Sequence, residues 1–166
     1  TKAIIIVHQF GIPAKMDEIL AIAKAADIRI IEDCAQAHGA SYRGRPVGTL
    51  GDIGVFSLNV NKTIQAGEGG VCVTSDADLA YRLQLIRNHG EAVVGPADYE
   101  DITNIAGYNY RLTELGAAVA SVQLKRLPTL NSCRLELVSQ FLEGVEEIGF
   151  LLPLRDPSDC ISTYYV

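Results

Sequence analysis

The stretch from Asp52 to Gly70, DIGVFSLNVNKTIQAGEGG, decides how the chain is read. Ile53 to Phe56 is a short apolar run, as expected of a buried strand. The run leaves through Ser57 and two asparagines, reaches a lone lysine, Lys62, and closes on Gly67, Gly69 and Gly70. A lysine at the exit of a buried strand is a candidate nucleophile. Where water is partly excluded the neutral amine is favoured, and it can attack a carbonyl. The plainer reading is a solvated loop lysine.

Upstream, Ala3 to Val7 is continuously apolar, which predicts a fully buried strand. Met16 to Ala26 carries apolar residues at helical spacing, and Ile28 to Ile31 is a second apolar run ending in Glu32-Asp33. Strand, helix and strand in that order predict a parallel pair with a right-handed crossover. In such sheets ligands sit beyond the strands' C-terminal ends. His8, Asp33 and Ser57 all fall at such ends. Tyr42 to Gly51 is turn-rich. Val71 to Thr74 follows its glycines so closely that an antiparallel strand is expected.

Downstream, Ala77 to Asn88 reads as a helix and Glu91 to Ile105 as a loop. Leu112 to Leu127 is an alanine-rich helix, and Thr129 or Asn131 opens a further helix running to Ile148. Residues 1–150 are expected to form one large domain, incomplete at its N-terminal side, with 151–166 beginning a small C-terminal one. Both ends read as cut, because each runs straight into strand-like sequence.

Composition narrows the function classes. The 166 residues are 48% hydrophobic and carry a net charge of −6. No basic run exists, which argues against nucleic acid or an anionic membrane as partner. No apolar stretch is long enough to span a bilayer. Cys34, Cys72, Cys133 and Cys160 are scattered without a C-x-x-C pair, as expected of reduced thiols in a cytoplasmic protein. His8, His38 and His89 lack metal-ligand spacing, so no metal is expected. Each could line a pocket or serve as a hydrogen-bonded structural histidine.

Several longer motifs occur together: Glu32 to Ala40 (EDCAQAHGA), Gly51 to Ser57, Lys62, Gly67 to Gly70, Gly107 to Glu114 (GYNYRLTE) and the opening His8 to Gly11. In this order they resemble the DegT/DnrJ/EryC1/StrS family of pyridoxal-phosphate (PLP) sugar aminotransferases. The resemblance implies an α/β fold, three-layer α/β/α around a mostly parallel sheet, as in the large domain of fold-type I aminotransferases. It also implies a homodimer with active sites at the subunit interface. Lys62 matches the lysine that holds the cofactor aldehyde as a Schiff base and then moves a proton. Asp33 matches the acid facing the pyridine nitrogen. In isolation it is equally a turn aspartate.

The same resemblance places Gln36 beside the cofactor ring and makes Ser57 a phosphate-binding hydroxyl. Alone, they read as a surface glutamine and a turn serine. Asn109 matches a residue reaching the cofactor phosphate of the neighbouring subunit. Arg111 adds a positive charge for an anionic ligand, unless it pairs within its own chain. His8 is the histidine best placed for substrate. Glu32 should face away from Asp33 and takes no catalytic role. The partners implied are a nucleotide-linked keto-sugar and an amino-acid donor, glutamate in the first reading.

Leu58 stands where the family often has an aromatic. The family's upstream segment, with its Gly-Thr phosphate loop and ring-stacking residue, has no counterpart here. Two other readings remain: a sugar dehydratase, against which Lys62 argues because such relatives carry histidine there, and a catalytically silent dimerising or binding module.

Overall fold

The computed structural model describes residues 1–91, 105–146, 148–152, 156–157 and 159–166. Its centre is a four-stranded sheet of β1 (Ala3–Val7), β2 (Arg29–Asp33), β5 (Ile53–Ser57) and β6 (Gly70–Val73), in that order across the sheet. β1 runs parallel to β2 and β2 parallel to β5, while β6 returns antiparallel to β5. The expected parallel pair and antiparallel return are both present. The helix between β1 and β2 is α1 (Met16–Ala25).

Side chains alternate across a sheet, so register assigns its faces. Ile6, Ile30, Glu32, Gly54 and Phe56 share one face; Ile5, Val7, Ile31, Asp33, Val55 and Ser57 share the other. The first face is the core side. Met16 and Ala23 of α1 pack with Ile30, Tyr42 and Leu50, and Ile6 joins them. Cys34, Ala37, Ala40 and Val47 form a neighbouring cluster against Phe56. The second face is only partly covered. Ile5 is 65% and Val7 45% exposed. Within the described residues β1 departs from the expectation of full burial: one of its faces is packed, and β1 is the outer strand of the four.

The turn-rich stretch forms a small second sheet. β3 (Ser41–Tyr42) and β4 (Arg45–Pro46) make a hairpin whose two central residues, Arg43 and Gly44, both have positive φ. That conformation matches the right-handed twist of the flanking strands. β7 (Cys160–Ile161) adds to the other side of β3, so the C-terminal residues return to the first part of the chain. Gly54 is required by packing: a Cβ there would run into the Gly48 carbonyl.

α2 (Ala77–Arg87) starts where expected, because the Asp76 carboxylate caps it by accepting from the Asp78 and Leu79 amides. The loop expected over 91–105 falls mostly outside the described residues. α3 (Glu114–Glu146) differs from expectation. It is a single 33-residue helix that continues through Pro128, where two helices were read. A proline in a helix interior removes one backbone hydrogen bond and costs about 3 kcal/mol. Contacts beyond the proline hold the second half in line: Asn131 Nδ2 donates to the His38 carbonyl (2.9 Å), and Arg134 donates to Thr63 Oγ1 (2.8 Å). Among the described residues, no helix is long and apolar enough to cross a membrane.

The tight seat of β5 on the Gly48 turn gives a direct check. Gly54→Ala should destabilise the chain by about 2–3 kcal/mol in urea unfolding, since backbone rather than a flexible side chain must move.

Candidate active site

The C-terminal ends of β1, β2 and β5 lie side by side, because Val7 pairs with Asp33 and Asp33 with Val55. Asp33 and Ser57 therefore lie on the same, partly open face. Asp33 Oδ1 accepts from the Ala35 amide (3.0 Å), an Asx turn that fixes the carboxylate as the chain leaves β2. Ser57 Oγ accepts from the Asn59 amide (3.3 Å).

Lys62 rides on the loop between β5 and β6, which is built from its own residues. Leu58 closes the loop's base, donating to the Gly69 carbonyl and accepting from the Ala66 amide. Asn59 organises the interior: its carbonyl accepts from the Lys62 amide, its side-chain oxygen from the Asn61 amide, and its Nδ2 donates to Glu68. Ile64 and Leu58 anchor the loop by burial. Lys62 itself is half-buried.

Gln36 follows β2. Its Oε1 accepts from the Phe10 amide (2.9 Å), so the NH2 group is what Gln36 presents elsewhere. Phe10 adopts a left-handed φ of 58° in the turn after β1. Its carbonyl accepts from the Tyr165 amide (2.8 Å). The Tyr165 ring in turn lies under Lys62 Nζ, 4.8 Å from the centroid. Gln36, Phe10, Tyr165 and Lys62 thus form one connected set. Tyr165 was not found in the sequence, because its role depends on the return of the C-terminal segment.

Asn109 and Arg111 stand elsewhere. Asn109 is exposed and bridges to Asn88 at the end of α2, and Arg111 donates to Asn88 Oδ1 (2.7 Å). Arg111 is exposed, so its in-chain partner is a neutral amide rather than a buried acid. Leu112, just beyond, reaches Gly69, the residue before β6. These two residues therefore approach the sheet from the β6 side, opposite β1.

His8 is placed differently from the expectation of a substrate contact. It is fully buried, and both ring nitrogens are engaged. Nδ1 accepts from the Ala14 amide (3.1 Å), which assigns the proton to Nε2, and Nε2 donates to Glu32 Oε2 (3.0 Å). Glu32, also fully buried, accepts three more bonds from the Gly48, Leu50 and Gly51 amides at 2.6–2.7 Å. Burial pushes the Glu32 carboxyl up, but His8 and the Gly51, Gly48 and Leu50 amides outweigh it and hold the carboxyl below its ordinary value.

Cys34 completes a buried group with His8 and Glu32 whose ligand atoms lie within 4.8 Å of one another. Burial, then the Glu32 and Asp33 charges, push its thiol well above the usual range, so it remains protonated. In this structure the Glu32 oxygens are occupied by four donors, His8 Nε2 and the Gly48, Leu50 and Gly51 amides, so the group is a hydrogen-bonded cluster.

His38 is buried too. Its Nε2 donates to the Ser57 carbonyl (2.8 Å), so it steadies the turn after β5 from below. Burial lowers its pKa, the Ser57 carbonyl raises it, and Lys62 and Arg134 lower it further; the net shift is downward, towards neutral imidazole. His89 is exposed, with a left-handed φ of 60°.

Comparison with known proteins now adds to this geometry. The DegT/DnrJ/EryC1/StrS aminotransferase family matches residues 1–165. The chain belongs to this family. It is similar to the L-glutamine:scyllo-inosose aminotransferase of Streptomyces griseus, 38% identical over 99% of this chain and 40% of the relative. It is similar to the dTDP-3-amino-3,6-dideoxy-alpha-D-galactopyranose transaminase of Aneurinibacillus thermoaerophilus, 43% identical over 92% of this chain and 41% of the relative. Among solved structures, the aminotransferase from Psychrobacter cryohalolentis superposes with a TM-score of 0.85 at 34% identity, covering 99% of this chain and 46% of that one. The α/β fold read from the sequence is thus the family's fold. The chain spans less than half the length of these relatives.

The Glu32 node yields a signed pH dependence. A carboxyl held low in the fold stabilises it above the ordinary value, near 4.5, and that stability is lost as pH falls through the folded value. Glu32→Gln leaves an NH2 group facing amide donors, so it should cost about 3 kcal/mol at pH 7. In urea unfolding the gap to the unaltered chain should narrow as pH is lowered from 5 towards 3; a gap independent of pH would contradict the charged assignment.

Proposed function

We propose that this chain carries the catalytic face of a PLP-dependent sugar aminotransferase. The carrying observation is the connected set at the strand ends: a half-buried lysine on a self-bonded loop, linked through Tyr165 and Phe10 to Gln36, with Asp33 and Ser57 sharing the adjoining sheet face. The donor chemistry suits the cofactor. A carboxylate matches a pyridinium nitrogen, an amide NH2 a phenolic oxygen, a hydroxyl a phosphate, and a primary amine an aldehyde carbon.

When bound, PLP supplies an electron sink for the carbanion formed at an amino acid's α-carbon. Lys62 presents the amine that bonds a carbonyl carbon, and in neutral form it takes and returns a proton at Nζ. Asp33, its Oδ1 fixed by the Ala35 amide, presents its carboxyl group to a positively charged ring nitrogen. Gln36, with Oε1 committed to Phe10, donates from its NH2 group. Ser57 Oγ has a proton to donate, because Asn59 uses only its acceptor side.

The acceptor is a keto-sugar carried on a nucleotide, in line with the dTDP-sugar in the name of the Aneurinibacillus relative. The amino donor is glutamate. The Streptomyces relative's name gives L-glutamine, so donor assays should carry both. The working unit is a homodimer. Asn109 is exposed, as a residue serving a partner's phosphate would be, and α3 leaves Leu115, Val122, Leu137 and Phe141 more than half exposed. Residues 1–150 belong to the large domain and 151–166 lead into the small one.

Reductive trapping tests the assignment. With PLP and borohydride, peptide mapping should place the adduct on Lys62 in preference to Lys2, Lys15, Lys24 and Lys125, and Lys62→Ala should abolish it. Equal labelling of all lysines would defeat the reading. Asp33→Asn should weaken PLP binding about tenfold in an absorbance titration, the effect of losing one charge-assisted contact.

A further inference from the structure

The Tyr165 ring lies beside Lys62 and takes no chemical step in the proposed function. The lysine Nζ lies over the Tyr165 ring, 4.8 Å from its centroid. That is within the reach at which a cation is drawn to an aromatic face. The ring is held at both ends. Its hydroxyl donates to the Asn61 carbonyl (3.0 Å), on the residue just before Lys62. Its backbone amide donates to the Phe10 carbonyl, while the Thr163 amide donates to the Gly11 carbonyl (3.0 Å). Between these anchors Tyr164 has a φ of 43°. Bulky residues rarely adopt that conformation, and it persists where the surroundings over-determine it. Gly11 helps to do so, because the space its Cβ would need is filled by Thr163 Oγ1 and the Tyr164 amide.

We infer that Tyr165 is a positioning residue for Lys62. This rests on reading Lys62 as the amine that takes a carbonyl. The phenol fixes the loop that carries the lysine, and the ring fixes where the amine points. A lysine stem has four rotatable carbons, and unrestrained it spreads Nζ over many rotamers. The ring confines Nζ to the side of the loop where Phe10 and Gln36 lie, so the amine is presented at the strand ends rather than to bulk solvent. The two functions separate on substitution. Phenylalanine retains the ring and loses the tie to Asn61; leucine loses both.

The test uses the 166-residue chain, unaltered and as Tyr165→Phe, Tyr165→Leu and Tyr165→Met, with PLP as the probe. After borohydride reduction and digestion, the Lys62 adduct is divided by the Lys15 adduct of the same sample; Lys15 is 75% exposed and serves as the internal control. Circular dichroism establishes that each variant is folded, and Tyr165→Met replaces Tyr165→Leu if the latter is not. Tyr165→Phe should keep the ratio within about twofold of the unaltered chain, and the non-aromatic variant, which lets the lysine stem spread over other rotamers, should lower it about threefold or more. A folded non-aromatic variant that keeps the ratio overturns the inference. So does a phenylalanine variant that loses as much as the leucine one. A ratio near one in the unaltered chain instead overturns the assignment of Lys62 itself, and the inference with it.

Discussion

The buried Glu32 carboxylate is the interaction on which the rest of the structure depends. It collects His8 from the end of β1 and the amides of Gly48, Leu50 and Gly51 from the turn before β5. An ionised carboxylate is tolerated in such a place only when its lone pairs are filled, and here four donors fill them. The result is that three adjacent strands are tied at one point. Because side chains alternate along β2, the next residue, Asp33, points to the other face. One strand thus uses consecutive acids for different ends: Glu32 locks the scaffold, and Asp33 meets the candidate site.

A second acid does related work one strand-length away. Asp52 accepts from the Ile30 amide and from Arg29 at 2.7 Å each, and its own amide donates to the Ile30 carbonyl. The start of β5 is thereby held to the start of β2, as Glu32 holds the turn just before it. With the register fixed at both acids, Ser57 and the loop that carries Lys62 have little freedom at their root. The loop itself is built from local bonds and two buried apolar residues, and is tied from outside by Tyr165 at Asn61 and Arg134 at Thr63.

Much of this was legible in the sequence, for identifiable reasons. Continuous apolar runs at Ala3–Val7 and Ile53–Phe56 are local signals and produced strands where they were read. The helical pattern from Ala77 and the glycine pair before Val71 are local too. The alternation that turns Glu32 and Asp33 to opposite faces was also readable. What escaped depends on distant partners. His8 sits at a strand end like a ligand-binding residue, but its ring turns inward because Glu32, 24 residues on, is buried beneath it. α3 passes through Pro128 because His38 and Thr63 grip its second half, a gain that no helix-propensity argument contains. Exposure of Ile5 and Val7 reflects which surfaces these residues cover, and an apolar run looks the same whether one face is packed or two. Tyr165 carries no motif of its own, and its place beside Lys62 comes from β7 and the backbone bonds to Phe10 and Gly11.

The chemistry of the donors around Glu32 also sets how the sequence can drift. Three of the four are main-chain amides, and any residue but proline supplies one. At Leu50 the network constrains the backbone rather than the identity of the side chain, so substitutions there are judged by the core alone. Position 8 is different: only its side chain reaches the carboxylate, and the same ring must also accept from Ala14. Histidine and glutamate at 8 and 32 therefore change together or not at all, whereas the turn that supplies the other donors can vary its side chains wherever φ and packing permit.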